Sequence, residues 1–277
     1  MKNIVVTGAS TGIGWGICKV LTAQGFRVFG SVRKEADGAR LTGEFGPLFT
    51  PLLFDITDTA AVAAAARQVE TALAGETLFA LVNNAGIAVP GPLLYLPLAD
   101  FEKQLAVNVT GQLIVTQAFA PLMGKGGRIV MMSSVGGSSG TPFMGAYNAS
   151  KYALEGMSEA LRRELILLGI DVIIVAPGAV ATPIWDKGDA MDPAPFVRTP
   201  YAAPLKAMRK FMLDSGHNGL PPEQLGMLVH KALTIPHPRV KYVLTPDRLR
   251  YFLLRRLPKR LVDRLVAKML GLLPQKG

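Results

Sequence analysis

Tyr147 and Lys151 stand in a Tyr-x-x-x-Lys pattern, and Ser134 lies thirteen residues before the tyrosine. On a helix, residues four apart share a face, so Tyr147 and Lys151 project together. A free phenol loses its proton only near about pH 10 and is a poor base at neutrality. A neighbouring ammonium favours the phenolate and lowers that value. The pair is therefore suited to moving a proton to or from an alcohol oxygen. Ser134 follows the apolar run Arg128-Ile129-Val130-Met131-Met132, and its hydroxyl can hold the same oxygen. The pattern alone also describes many surface helices, so its company matters.

Elements that would position these residues can be read along the chain. Ile4-Val5-Val6 is a short strand that runs into Thr7-Gly8-Ala9-Ser10-Thr11-Gly12-Ile13-Gly14. A helix is predicted from about Gly14 to Gln24, stopped at Gly25. A glycine loop between strand and helix lets backbone approach a pyrophosphate and presents free N–H groups. A tight strand-to-helix turn is the plainer reading. Its spacing is G-x-x-x-G-x-G. Further strands are predicted over Arg27–Val32, Leu48–Phe54, Leu78–Val82, Arg128–Met132, Asp171–Val175 and Val240–Leu244. Helices are predicted over Thr59–Leu73 with Asp58 as cap, Leu98–Leu122 with Asn108 near its middle, Tyr147–Leu168, and Pro222–Leu233. Apolar strands alternating with helices of crossover length imply a single α/β domain, a doubly wound parallel sheet of Rossmann type.

From Thr182 to about Pro222 regularity is expected to fail. Pro183, Pro193, Pro195, Pro200 and Pro204 interrupt a stretch that carries Trp185, Phe196, Tyr201, Met208, Phe211 and Met212. Such a segment after a strand's C-terminal end suits a substrate lid. It equally suits a surface excursion packed on the domain. The catalytic domain is read as residues 1–245, with a basic amphipathic extension over 246–277.

Composition narrows the function classes. With 277 residues and 49% hydrophobic residues, the chain can bury a large core. Cys18 is the single cysteine, so no internal disulfide forms and a reducing compartment fits. A cytoplasmic protein without signal peptide or spanning helix is expected, peripheral to a membrane if the tail binds one. The formal charge is +10, and the stretch from Arg239 to Gly277 holds eleven Lys/Arg against Asp247 and Asp263. The remainder is nearly neutral, so a basic tail is indicated and a nucleic-acid groove is not.

With these residues assembled, the sequence resembles the short-chain dehydrogenase/reductase family over roughly Lys2 to Leu244. The motifs stand in the family's order: Thr7-Gly8-x-x-x-Gly12-Ile13-Gly14, Asn83-Asn84-Ala85-Gly86, Asn108 in Asn-Val-Thr-Gly, Ser134, Tyr147-x-x-x-Lys151, and Pro177-Gly178-x-x-x-Thr182. The resemblance implies nicotinamide-dependent oxidation or reduction at a four-residue site without a metal. Tyr147 is then the acid/base, and Ser134 holds the substrate oxygen. Lys151 tunes Tyr147 and binds the nicotinamide ribose. Asn108 anchors a water that relays protons to Lys151; otherwise it is a helix-interior asparagine bonded to nearby backbone. Gly8, Ser10, Thr11, Gly12, Ile13 and Gly14 face the pyrophosphate. Asp55 and Ile56 reach the adenine, with a solvated turn residue or cap as the other reading of Asp55. Asn84, Ala85 and Gly86 border the adenosine half; Pro177, Gly178, Val180 and Thr182 clasp the carboxamide end.

Strand two ends at Val32 followed by Arg33-Lys34, where members of the family that prefer NAD carry an acid. A guanidinium there suits a 2′-phosphate, so NADP(H) is favoured and NAD(H) remains open. Thr11 occupies the place where some NADP-dependent members carry a basic residue. The C-terminal extension resembles that of the retinol- and hydroxysteroid-dehydrogenase-like branch, and with the apolar lid it implies an apolar secondary alcohol or ketone. A homo-oligomer, dimer or tetramer, is implied through the helices of Leu98–Leu122 and Tyr147–Leu168. Competing readings are an NAD(H)-preferring dehydrogenase of the same family, and a dinucleotide-binding regulatory or membrane-surface protein with little turnover. In the tail, Leu261, Val262, Leu265, Val266 and Met269 fall on one helical arc, and Arg260, Arg264 and Lys268 on another. Upstream, Leu249, Phe252, Leu253 and Leu254 interleave with Arg248, Arg250, Arg255 and Arg256. This arc fits either an anionic membrane surface or docking on protein.

Overall fold

The computed structural model describes residues 1–182 and 194–274. Pro183, Trp185, Pro193 and residues 275–277 lie outside the described residues, as do the side chains of Arg250, Leu254 and Arg255. In chain order the elements are β1 (Asn3–Val6), α1 (Gly12–Ala23), β2 (Arg27–Val32), α2 (Glu35–Phe45), β3 (Phe49–Leu53), α3 (Thr59–Leu73) and β4 (Leu78–Asn83). Then come α4 (Leu98–Leu105), α5 (Gln112–Phe119), β5 (Met123–Met132), α6 (Gly145–Glu164) and β6 (Asp171–Pro177). The chain closes with α7 (Ala202–His217), α8 (Pro222–Thr234), β7 (Lys241–Leu244), α9 (Arg248–Arg256) and α10 (Lys259–Leu270).

The strands form one parallel sheet in the order β3-β2-β1-β4-β5-β6-β7. Successive residues of a strand point to opposite faces, and here both faces are covered. Ile4, Val6, Val82, Val130 and Met132 pack with Ile17 and Leu21 of α1 and Leu225 and Val229 of α8. Val5, Leu81, Ile129 and Met131 pack on the other side with Val62 and Val69 of α3 and Val115 and Phe119 of α5. This two-sided burial explains why the central strands are apolar throughout. Strand order reverses between β1 and β4, which opens a crevice at their C-terminal ends.

Three expectations need correction. α2 has no counterpart in the sequence reading. Leu41 is its one large fully buried side chain, so the segment shows almost no apolar period. Residues 98–122 do not form one regular helix. Ala106–Gly111 is a π-helical turn between α4 and α5, and Asn108 lies in it. The stretch is long and apolar enough to cross a membrane by composition. In the fold, however, it buries Gln104, Asn108 and Gln112 against the domain. Regularity also does not fail throughout 182–222, because α7 occupies much of it. Pro204 is tolerated because it falls in the first turn, where its missing N–H has no intrahelical partner.

Candidate active site

The glycine loop bends β1 into α1 beside the end of β4. Thr7 is fully buried, and its Oγ1 accepts from the backbone N–H groups of Asn84 and Ala85 at 2.9 and 3.0 Å. Asn84 Nδ2 returns a bond to the Thr7 carbonyl at 2.9 Å. Gly8, at φ +67°, donates its N–H to Ser31 Oγ of β2 at 2.9 Å. At Gly14 any Cβ would overlap the Gly8 carbonyl, so the turn closes only with glycine there. Thr11 is the N-cap residue of α1 but makes no side-chain cap bond, and no acid lies in the first turn. Those N–H groups keep their capacity for an anion. Arg40 braces the loop from α2 through the Ser10 carbonyl at 2.6 Å.

Two further segments flank this cradle. After β6 ends at Pro177, Gly178 donates to the Leu244 carbonyl and Val180 bridges to Leu220. The turn carries Thr182 to the start of α1, where a Cβ on Gly12 would lie 3.1 Å from Thr182 Cγ2. On the other side Asp55 follows β3. Its Oδ1 accepts from Thr57 N–H and hydroxyl at 2.9 and 2.7 Å, and its Oδ2 lies 3.8 Å from Arg33 Nη1. The Thr57 N–H bond, ahead of the Arg33 charge, holds the Asp55 carboxyl below its ordinary range. Ile56 is buried and packs behind Gly111. The donors and cradle fit a dinucleotide pyrophosphate.

Asn108, Ser134, Tyr147 and Lys151 converge where β5 ends against α6. Ser134 stands at the start of a 3₁₀ turn over Val135–Gly137, its Oγ accepting from Gly136 N–H at 3.1 Å and near enough to the Tyr147 phenol to lower its pKa. Lys151 is 5% exposed and donates Nζ to the Met132 carbonyl at 2.7 Å. Asn108 accepts from Ile87 N–H at 2.8 Å and donates to the Ile87 carbonyl at 2.9 Å and to Ser150 Oγ at 3.0 Å. A Cβ on Gly86 would sit 3.1 Å from Asn108 Oδ1 and 3.8 Å from Lys151 Nζ. This glycine thus brings the β4 loop against both.

The electrostatics differ from the simple Tyr–Lys expectation. Burial raises the Tyr147 phenol above its ordinary pKa, and the Ser134 hydrogen bond pulls it back. The Lys151 ammonium does not dominate: Nζ lies 5.8 Å from the Tyr147 ring centroid and bonds to backbone. Burial lowers Lys151 from 10.5 to about 8, against the opposing field of Glu155. At neutral pH the lysine is still charged, but weakly held so.

Several supporting residues escaped the sequence reading. Gln104, fully buried on α4, accepts from Val89 N–H at 2.7 Å and donates to the Ile87 carbonyl at 2.9 Å. Asn148 Nδ2 binds the Gly136 and Ser139 carbonyls at 3.0 and 3.2 Å, and its Oδ1 accepts from Thr141 N–H at 2.9 Å. A period-3.6 series of polar residues facing inward on α6 (Asn148, Ser150, Lys151, Ser158) was the available signal. Beyond Tyr147, an apolar wall is built by Phe143, Met144, Phe196, Leu205, Met208 and Leu270. Phe143 holds φ +65° there, a strained conformation for a bulky residue that functional sites tolerate.

Residues 2–192 match the family described as short chain dehydrogenase. The chain is 34% identical over 284 residues, covering all of both proteins, to the NADPH-dependent 3-dehydrocapnine reductase of Ornithobacterium rhinotracheale. It is 32% identical to retinol dehydrogenase 16 of Mus musculus over 96% of this chain and 87% of the relative. Among solved structures, a short chain dehydrogenase from Burkholderia cenocepacia in complex with NADP aligns with a TM-score of 0.71 at 31% identity, over 88% of this chain and 96% of that one.

Proposed function

The chain belongs to the short-chain dehydrogenase/reductase family and is a nicotinamide-dependent oxidoreductase; on that premise we propose that it moves hydride between NADP(H) and an apolar secondary alcohol or ketone, with Tyr147 as acid/base. The observation that carries this reading is Ser134 set against the Tyr147 phenol, with the buried Lys151 Nζ 5.8 Å from the Tyr147 ring centroid. Bound nicotinamide supplies or accepts the hydride. The protein manages the proton and the oxygen. In reduction the Tyr147 hydroxyl gives its proton to the oxygen as charge develops there, and Ser134 steadies that charge with a bond that strengthens as it grows. In oxidation the phenolate takes the hydroxyl proton. Lys151 adds a positive charge on the same face of α6 as Tyr147, and Asn108 fixes the loop at Ile87.

NADP(H) over NAD(H) is supported by Val32-Arg33-Lys34 at the end of β2, with no carboxylate there and an Arg33 guanidinium 74% exposed. The Ornithobacterium relative, an NADPH-dependent reductase, favours the same choice. The apolar wall against Tyr147 and the likeness to retinol dehydrogenase 16 support an apolar substrate. Homo-oligomerisation through the 98–122 and α6 helices, and a peripheral membrane contact through α9 and α10, complete the reading. The test is turnover of a panel of long-chain ketones with NADPH, and of the matching alcohols with NADP. Tyr147→Phe should lose roughly 10²–10⁴-fold in rate while keeping cofactor affinity; a variant that retains most of its turnover removes Tyr147 from the chemistry.

A further inference from the structure

Three consecutive residues at the end of β5 are each tied to a different residue of α6. The Met132 carbonyl accepts from Lys151 Nζ at 2.7 Å. Ser133 Oγ donates to Glu155 Oε1, also at 2.7 Å. Ser134 faces the Tyr147 phenol and lowers its pKa. Tyr147, Lys151 and Glu155 are spaced by four, so they share one face of α6. The middle tie is the one with no place in the mechanism above. Its carboxylate is 17% exposed and is held from the far side by Lys241 of β7, at 2.7 Å to Oε1 and 2.6 Å to Oε2. Ser133 also donates its N–H to the Val175 carbonyl of β6 at 2.8 Å. The Ser133–Glu155–Lys241 cluster therefore links β5, α6 and β7 directly behind Ser134.

We propose that Glu155 is a positioning residue: through Ser133 it fixes the end of β5 against α6 and so sets Ser134 relative to Tyr147, with Lys241 anchoring the carboxylate. A single step along the chain separates the tie at Ser133 from the chemistry at Ser134. If Ser133 loses its acceptor, the 3₁₀ turn that begins at Ser134 is free to shift, and Ser134 moves with it. A displacement of this kind, even small, costs rate more than binding, because the bond from Ser134 matters most when charge develops on oxygen. Tyr147 and Glu155 face Lys151 from its own helix, while Met132 of β5 and Asn108 of the π turn face it with uncharged groups. Lys241 faces Glu155 from β7. Glu155 thus also lends Lys151 part of its charge.

Ser133→Ala removes the tie and leaves every charge in place. In it, the Tyr147 phenolate should appear at higher pH than in the wild-type protein, read by ultraviolet difference titration against Tyr147→Phe. Ser133→Thr, which keeps a hydroxyl, should restore the wild-type curve. In turnover of 2-undecanone with NADPH, Ser133→Ala should lose about tenfold in kcat with KM little changed. A purely structural ion pair is separated by Glu155→Leu combined with Lys241→Met. Apolar replacement of both partners leaves stability near wild type, so wild-type kcat in it would reduce the pair to a structural role. The loss it shares with Ser133→Ala, where Glu155 and its field on Lys151 remain, is the part that belongs to the Ser133 tie. An unmoved phenolate titration in Ser133→Ala, or wild-type kcat in the double variant, overturns the assignment. The titration uses the protein without cofactor or substrate, so its result stands apart from the proposed reaction, on which the turnover arm rests.

Discussion

Lys151 keeps its ammonium where charge is disfavoured, and this has a consequence for stability. Its pKa is about 8 in the fold, against the ordinary 10.5 of a lysine in an unfolded chain. Below pH 8 both states hold the proton and the fold bears the cost of the buried charge, about 3 kcal/mol for a shift of this size. Between pH 8 and 10.5 the unfolded chain binds more protons than the folded one, so stability rises with pH across that window. Urea melts at pH 8 and pH 10 should therefore show the wild-type protein gaining on Lys151→Met; parallel changes would mean the ammonium is not desolvated. At the other end of the site, Arg33 meets Asp55 only at 3.8 Å and is largely exposed. It is available for a 2′-phosphate. Arg33→Ala should lower the ratio of NADP to NAD affinity by roughly tenfold or more, the worth of a charge-assisted contact. Equal ratios in both proteins, measured by cofactor titration, would defeat that role. The closeness of Tyr147 and Lys151 was legible in the sequence because the helix dictates their spacing, and Ser134 because it follows the apolar run of β5. Ser133, Gln104 and Thr7 were not, since their roles come from partners far along the chain: Glu155, Ile87 and Asn84.

Among the elements, α8 is held in an unusual way. Arg128 opens the buried part of β5, is 9% exposed, and donates to the Ala232 and Ile235 carbonyls at 2.7 Å and to the Pro236 carbonyl at 3.4 Å. These carbonyls lie at and just past the last turn of α8, where intrahelical partners run out and the helix dipole favours a cation. The sequence shows Arg128 only as the first residue of an apolar run, so its use as a C-terminal cap 104 residues away could not be read. Arg128→Leu should leave those carbonyls without a donor and cost about 3 kcal/mol, two charged bonds at the low end of their range. Chemical denaturation measures the loss, and cofactor affinity at low denaturant should stay unchanged. A stability within error of wild type would show that solvent replaces the guanidinium. Strong local signals made other elements readable: Asp58 caps α3 through Ala61 N–H at 3.0 Å, and Gly169 takes the left-handed conformation after the α6 segment. The π turn at Asn108 left no mark, because a one-residue shift in helical bonding hardly alters the apolar period. α7 was obscured by reading Pro204 as a breaker when it lies in a first turn.

For the whole molecule, the sheet and its two covered faces were legible, because apolar strands alternating with helices admit few other arrangements. What the sequence left open was the use of the C-terminal arc, and the fold divides it. Leu270 is buried against α7, with Val266 packed on the same cluster. Leu261, Leu265 and Met269 point away, exposed by 43%, 48% and 48%. Leu249, Phe252, Leu253 and Leu257 of the α9 region are exposed as well. The outer face is thus apolar, yet it lies among Arg256, Lys259, Arg260, Arg264 and Lys268, all exposed. A second copy of the chain on this face would set like charges against each other. An anionic lipid surface offers both complements: headgroups for the cations, each contributing about 1 kcal/mol, and an acyl boundary for the leucines. The apolar wall beside Tyr147 is continuous with α10 through Leu270, so a membrane-held enzyme would meet an apolar substrate near its source. Vesicle sedimentation checks the contact. Binding should be strong to phosphatidylserine-containing vesicles at low salt, weak at high salt, and weak to phosphatidylcholine alone. Leu261→Ser, Leu265→Ser and Met269→Ser together should reduce it while leaving turnover of a water-soluble ketone intact. Equal binding to both lipids, or none, rejects the electrostatic anchor. A triple variant that changes oligomeric state without changing vesicle binding assigns the outer face of α10 to another copy of the chain.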